Sequence, residues 1–154
     1  MNDCSLNKNF NDLKIVLGAD LIIMGSEFSE SRCINDLIKK TNLSGKKIFF
    51  VGPKHFGNNL NWVIRKDKNE RHLLRNNIPK YILNHENDFK SIVPEENYIS
   101  YIDKLSSENR ILITDKNGNL ISDDRQHLTL SGARYVGEKV FLSNYSISNY
   151  FTKK

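Results

Sequence analysis

The stretch DLIIMGSEFSESRCINDLIKKTNLSGKKIFFVGP, residues 20–53, decides the fold class of this chain. Each of its two ends, residues 20–24 and 46–53, contains an apolar run without alternating polar residues. Unbroken runs of this kind are typical of parallel strands that are covered on both faces. Between them, apolar residues recur at helical spacing: Cys33, Ile34, Leu37 and Ile38. Strand, helix and strand in this order predict a βαβ unit, and therefore an α/β domain with a parallel sheet.

The flanking sequence adds further elements to this unit. Apolar spacing predicts an amphipathic helix over residues 5–17, and residues 97–102 alternate enough to form a third strand. Residues 55–96 have a weaker pattern, which allows one or two helices and a long loop. Residues 111–122 predict a hairpin, because the dipeptide Asn117-Gly118 accepts the positive φ angles of a tight turn.

A terminal helix is predicted after residue 128. Its apolar side is formed by residues that recur about one turn apart, namely Ala133, Val136, Val140 and Phe141. No internal repeat or linker divides the chain.

Length and composition exclude several classes of protein. The 154 residues suit one domain or part of one, and 38% hydrophobic with 27% charged residues is typical of a soluble globular protein. The net charge of +5 comes from scattered Lys and Arg doublets rather than one basic stripe, which argues against nucleic-acid binding. The longest apolar runs are too short to cross a bilayer, and no export signal is visible.

The two cysteines do not indicate a metal site. Cys4 and Cys33 have neither a C-x-x-C spacing nor a histidine partner at the spacing of a zinc ligand. They could form a disulfide in an oxidising compartment, or they could be two partly buried thiols. We expect no metal and no organic cofactor.

The motif Asp124-x-x-His127 carries the chemistry of the chain. Its spacing places a carboxylate close to an imidazole, so that the carboxylate can accept the Nδ1 proton and leave Nε2 as a base. A histidine held in this way can take a proton from a serine hydroxyl and return it to a leaving group. The alternative is a histidine near a helix start that is bonded to a neighbouring aspartate without catalytic purpose.

Residues 113–140, ITDKNGNLISDDRQHLTLSGARYVGEKV, resemble the end of SGNH (GDSL-type) hydrolase-like domains, in particular those attached to bacterial membrane O-acyltransferases of surface polysaccharides. The matching residues are Gly118, Asp124, His127, Leu128, Thr129, Gly132 and Ala133. Residues 4–30 resemble the helix and third strand of these domains, and residues 46–56 resemble the fourth strand with its Gly-Pro end.

This resemblance implies a three-layer, flavodoxin-like α/β fold in which Asp124 orients His127 and His127 is the general base. It also implies that the complete domain is a serine esterase or O-acyltransferase acting on acyl esters of polysaccharide sugars. A membrane acyltransferase domain is then the expected partner, at the periplasmic face of the inner membrane.

The chain departs from the family pattern at two places. The Gly-Asp-Ser turn that carries the nucleophile is absent, and Gly25 is followed by Glu27 where the family has an oxyanion-binding Gly-x-Asn. An ionised carboxylate cannot donate the hydrogen bond that an oxyanion needs. Residues 1–154 are therefore interpreted as a partial SGNH domain, from the third strand onwards with the first strands missing, and we expect it to be inactive alone.

Other candidate residues follow from position. Ser26 lies in a Gly-Ser turn after a strand, which makes it the one candidate nucleophile within the chain. Asn58, like Gly25, is a candidate for the cleft beyond the strand ends. The remaining histidines have no partner at a useful spacing and are predicted to lie on the surface: His55, His72 and His85. Two other functions stay open: a non-catalytic remnant or binding domain, and a small self-contained esterase that uses Ser26.

A chain without the first strands should associate with itself. In a flavodoxin-like sheet the first strand lies beside the third, so residues 20–24 would form an apolar edge that pairs with other chains. We expect the 154-residue chain to be self-associated or partly molten. A longer form that restores the upstream residues should be monomeric and should unfold cooperatively. Size-exclusion chromatography and thermal unfolding of both forms measure this, and a sharp, monomeric transition of the 154-residue chain contradicts the interpretation.

Overall fold

A computed structural model of the chain describes residues 18–25, 34–35, 38–39, 45–144 and 147–149. The predicted helix over residues 5–17 and the residues Cys4, Ser26, Glu27 and Cys33 lie outside the described residues. The chain divides into two compact units. The first consists of Met1–Gly52 with Asn87–Tyr98, and the second of Pro53–Glu86 with Ile99–Lys154.

Eleven elements are numbered in chain order among the described residues. They are β1 (Leu21–Gly25), β2 (Lys47–Val51), α1 (Asn61–Ile64), β3 (Arg75–Asn77), α2 (Lys80–Ile92), β4 (Tyr98–Ile99), α3 (Tyr101–Leu105), β5 (Ser106–Ser107), β6 (Arg110–Leu112), α4 (Leu130–Val136) and a π-helical turn (Gly137–Leu142). Short 3-10 helices cover Lys68–Glu70 and Glu95–Asn97.

The predicted strand–helix–strand unit forms the first compact unit. β1 and β2 pair in parallel, with Leu21 opposite Lys47 and Gly25 opposite Val51. The sheet order is β1-β2-β4, so β1 ends the sheet that the described residues form. The α/β class and the parallel pairing of these two strands are confirmed.

Apolar side chains from the sheet and from helices make the core of the first unit. β2 buries Ile48 and Phe50, which pack with Ile34 and Ile38 from the helical residues between β1 and β2. The other members come from the end of α2 and from the segment that follows it: Phe89, Val93 and Tyr98. The removal of these side chains from water is the main driving force for this unit.

The second unit contains a sheet that the sequence did not predict. β3, β6 and β5 pair in an antiparallel sheet of order β3-β6-β5. Residues 97–102, predicted as one strand, are strand only at β4, because Ser100 caps α3 by accepting a hydrogen bond from the Asp103 N–H. The long loop predicted within residues 55–96 contains β3.

The predicted hairpin is present, but its turn is of a different type. Thr114 and Leu120 form an antiparallel bridge, and the Asp115 carboxylate accepts hydrogen bonds from the backbone N–H groups of Asn117 and Asn119. Among the turn residues the positive φ falls on Gly118 alone, at 75°, and not on Asn117. The turn therefore begins at Asp115, with the Gly118 N–H donating to the Asp115 carbonyl, and ends in a left-handed glycine.

The terminal helix buries most of the predicted face, since Val136 and Val140 are buried and Phe141 is half-buried. Ala133 is exposed, whereas Gly132, Val136 and Val140 are buried, at intervals of four residues. Thr129 caps α4, since its hydroxyl oxygen accepts a hydrogen bond from the Gly132 N–H. A side chain at Gly132 would collide with the hairpin, because a Cβ there would lie 1.9 Å from the carbonyl oxygen of Ile121.

Replacing Gly132 by alanine should destabilise the protein strongly. The added methyl meets backbone rather than a flexible side chain, so α4 must move away from Ile121, at a cost of about 3 kcal/mol. Gly137→Ala is the matched control, because a Cβ at Gly137 has no atom within 4 Å and its φ is −52°. The control should be neutral or stabilising by about 0.5 kcal/mol in chemical denaturation. Equal stabilities of the two variants would contradict this packing.

Candidate active site

The loop that carries the predicted pair, Ser122–Leu128, is closed at its base by backbone pairing. Ser122 and Leu128 form an antiparallel bridge, and the Asp123 N–H donates to the His127 carbonyl at 3.2 Å. The next residue, Thr129, donates its N–H to the Ile121 carbonyl at 3.1 Å. The loop therefore leaves and rejoins the second unit at one point, immediately before the start of α4.

The hydroxyl of Ser122 fills the centre of the loop. Its side chain is fully buried, and Oγ lies 2.8 Å from the Asp124 carbonyl oxygen and 2.5 Å from the His127 carbonyl oxygen. Because a hydroxyl has one proton, these two carbonyl oxygens share a single donor. The hydroxyl thus holds the backbone of the two predicted site residues in fixed positions. No motif in the sequence indicates this role of Ser122.

Three hydrogen bonds converge on the carboxylate of Asp124. Oδ1 accepts from the backbone N–H groups of Gln126 and His127, both at 2.7 Å. Oδ2 lies 2.7 Å from Nδ1 of the His127 ring. One carboxylate therefore fixes the loop backbone and the imidazole together, and the contact predicted from the spacing of three is present.

These contacts change the acidity of Asp124. The hydrogen bond from the His127 ring and those from the Gln126 and His127 N–H groups hold the pKa of the Asp124 carboxyl well below its usual range. The pair is open to solvent, with 85% of the His127 side chain and 53% of the Asp124 side chain exposed. The hydrogen bonds thus keep the carboxylate ionised, and the small desolvation of the group acts in the opposite direction.

The ionised carboxylate determines which ring nitrogen of a neutral His127 bears the proton. A carboxylate can only accept, so the nitrogen that faces it, Nδ1, must carry the hydrogen. In the neutral ring Nε2 then has a free lone pair, which is the form that takes a proton from an incoming hydroxyl. The arrangement can act as a general base, or as a general acid once the ring is protonated.

A lysine and a tyrosine lie in the same unit as the pair. The ammonium of Lys54 lies 5.7 Å from the centre of the Tyr101 ring, within the range of a cation–π contact. Burial lowers the pKa of Lys54, and the negative charge of Asp124 acts in the opposite direction. Burial raises the pKa of Tyr101. Lys54 therefore contributes positive charge near Asp124, which the sequence analysis missed because Lys54 belongs to no motif.

Two of the other predicted site residues are among those that the structure describes. Gly25 is the exposed last residue of β1, in the first compact unit, and Asn58 is an exposed residue of the second. Ser26, the candidate nucleophile, lies outside the described residues. Asp124 and His127 are thus the predicted residues that the described structure brings together.

The prediction for His55 was wrong. This histidine was placed on the surface, but it is only 4% exposed, and its ring lies edge-on to Tyr81. The next residue, Phe56, is fully buried as well. His72 is exposed as predicted, with Nδ1 3.0 Å from the carbonyl oxygen of Asn69.

Within the described ranges, no group of three or more His, Cys, Asp or Glu side chains could hold a metal ion. In the same part of the chain, no helix is long and apolar enough to span a membrane. Comparison with family models, with curated proteins and with solved structures found no match for the chain.

The carboxyl group of Asp124 should remain ionised at pH values below 3.8, where an ordinary aspartate is protonated. Because its pKa in the folded protein is depressed, its contribution to stability is present above the ordinary value of 3.8 and is lost as the pH falls through the folded value. The ¹³Cγ shift of Asp124, followed by NMR from pH 7 downward, should not titrate near pH 3.8.

In His127→Ala this titration should move up towards the ordinary value, because the largest cause of the shift is removed. It should remain below that value, since the backbone N–H groups of Gln126 and residue 127 still donate. An Asp124 signal that titrates at its ordinary pH in the unmodified protein would contradict the hydrogen-bonded pair.

Proposed function

We propose that this chain supplies the acid–base part of an SGNH-type serine esterase or O-acyltransferase domain. The Asp124–His127 pair would serve as orienting carboxylate and general base. The substrates would be acyl esters of surface-polysaccharide sugars, and a membrane acyltransferase domain would be the partner in the complete protein, with the site at the periplasmic face of the inner membrane.

One observation carries this proposal. The carboxylate of Asp124 meets Nδ1 of His127 at 2.7 Å, in a loop whose backbone it also fixes through two N–H groups. A histidine held by its Nδ1 proton presents Nε2 as the base, as serine hydrolases require. The family assignment is also supported by the sequence from Asp124 to Ala133. In this segment Thr129 caps α4, and Gly132 packs closely against the backbone of Ile121.

The proposed reaction proceeds through a covalent acyl-enzyme. Nε2 of His127 takes the proton of a serine hydroxyl as the serine oxygen attacks the ester carbonyl. The resulting imidazolium returns this proton to the leaving sugar oxygen, and the tetrahedral intermediate collapses to an acyl-serine. Water releases the acid in an esterase, or a second sugar hydroxyl accepts the acyl group in a transferase, again with His127 as the base.

The serine must come from another part of the protein or from Ser26. A Gly-Asp-Ser turn does not occur in the sequence, and without a nucleophile a base forms no acyl-enzyme. We place the nucleophile upstream of residue 1, which makes the 154-residue chain inactive by itself. The alternative is a self-contained esterase that uses Ser26, and a measurement of activity distinguishes it from an enzyme with an upstream nucleophile.

Hydrolysis of p-nitrophenyl acetate tests the proposal. The 154-residue chain should not exceed the background rate. A longer form, extended upstream to include a Gly-Asp-Ser turn, should turn over, and His127→Ala should lower its kcat/KM by about a thousandfold or more. His72→Ala is the matched control, because His72 is an exposed histidine whose ring faces a carbonyl group and not a carboxylate.

Three results would contradict the proposal. Turnover by the 154-residue chain that is lost in Ser26→Ala would establish a self-contained esterase. Turnover lost in His127→Ala but not in Ser26→Ala would mean another nucleophile within the chain. A longer form whose hydrolysis survives His127→Ala would remove the base from the mechanism.

A further inference from the structure

His55 is a buried histidine whose ring nitrogen Nδ1 makes no hydrogen bond. Its side chain is 4% exposed, and the buried Nδ1 atom has no hydrogen-bond partner. Its ring forms a T-shaped pair with the ring of Tyr81 in α2, with ring centres 6.1 Å apart and planes at 89°. A buried polar nitrogen is normally paired, so an unpartnered one calls for a specific reason.

The surroundings of His55 tolerate only the uncharged ring. A protonated imidazole carries two N–H donors, and the buried Nδ1 has no hydrogen-bond partner of good geometry for its proton. The backbone of His55 itself is the group that favours the charged ring. Arg125 acts on the ring as a second positive charge, Lys54 is the adjacent cation, and Tyr81 presents a neutral ring. Burial is the largest cause that lowers the pKa of His55, Arg125 adds to it, and a backbone hydrogen bond acts against both.

The segment around His55 is bonded directly to the loop of the candidate site. The N–H of Phe56 donates to the carbonyl oxygen of Arg125 at 3.0 Å. Arg125 lies between Asp124 and Gln126, whose N–H is held by the Asp124 carboxylate. Fixing the Arg125 carbonyl therefore also fixes the peptide units that carry the pair.

The opposite side of Phe56 is held as well. The Asn76 amide donates to the Phe56 carbonyl at 3.4 Å, and Asn76 packs so closely on Gly57 that a Cβ there would lie 1.8 Å from Nδ2. Gly57 has a φ of 109°, which excludes most other residues. Phe56 is thus a fixed link between Asn76 and Arg125, with His55 as its buried neighbour.

We propose that His55 is a positioning residue that holds the Asp124–His127 loop in place only while its imidazole is uncharged, so that acidification releases the loop. When the ring is protonated it leaves its buried site, and the Phe56–Arg125 hydrogen bond breaks with it. The pair then loses its fixed backbone, although neither Asp124 nor His127 has changed its own contacts first.

The direction of the pH dependence follows from linkage. In the released state the His55 ring has its ordinary pKa of 6.5, whereas in the folded state the pKa of this ring is lower. The stabilisation of the loop by His55 is therefore complete above pH 6.5 and is lost as the pH falls below it. The catalytic meaning of this release rests on the proposed function, but the release itself does not.

Hydrogen exchange of the Phe56 amide, followed by NMR in the 154-residue chain or in the longer form, tests the proposal. Its protection, corrected for the intrinsic rate, should fall about tenfold between pH 7.5 and pH 5. The Ile113 amide, which donates to the Leu74 carbonyl at 2.8 Å, is the internal reference and should not change. Loss of protection at both amides together would indicate global unfolding and would overturn the proposal.

Variants identify the group responsible. His55→Phe keeps an aromatic ring without a titrating nitrogen and should make the Phe56 protection independent of pH, whereas His72→Phe should respond as the unmodified protein does. Where His55→Phe does not fold, His55→Leu decides, because it also fills the buried site without a titrating nitrogen and should remove the acid response. An unchanged response in the folded variant would overturn the proposal. A longer form that carries the Gly-Asp-Ser turn, is inactive and still shows the response refutes only the esterase function.

Discussion

The buried hydroxyl of Ser122 is the constraint on which the candidate site depends. It lies within hydrogen-bond distance of the carbonyl oxygens of Asp124 and His127, and so brings together two carbonyl groups that are three residues apart. Once these groups are fixed, the Asp124 carboxylate can reach two N–H groups and the His127 ring at the same time. Since the pair itself is exposed to water, this backbone arrangement and not burial sets its geometry.

The sequence was sufficient where a local pattern determines the structure. The βαβ unit followed from two apolar runs, because a strand covered on both faces has no polar positions. The Asp124–His127 contact followed from a spacing of three and from the need of a carboxylate for donors nearby. The position of the hairpin followed from Gly118, which adopts the positive φ that its turn requires.

The remaining features depend on contacts between distant residues. β3 consists of Arg75, Asn76 and Asn77, which have low strand propensity, and it exists because β6 pairs with it. The turn between β5 and β6 has positive φ at Glu108 and Asn109, a pair without the Asn-Gly signature of such turns. His55 was predicted to be exposed because the sequence gives it no partner at a useful spacing, yet it is buried in a tightly packed loop. The burial of His55 could not be predicted, because no periodic pattern of apolar residues surrounds it in the sequence.

The protonation state of the His127 ring tests most directly whether Asp124 prepares this histidine as a base. Long-range ¹⁵N–¹H correlation spectra at a pH where the imidazole is neutral distinguish the two tautomers. We expect a protonated Nδ1 and an unprotonated Nε2, because the nitrogen that faces the carboxylate must donate. A neutral ring protonated at Nε2, with Nδ1 bare, would contradict the role of Asp124, since its carboxylate would then not be holding the imidazole.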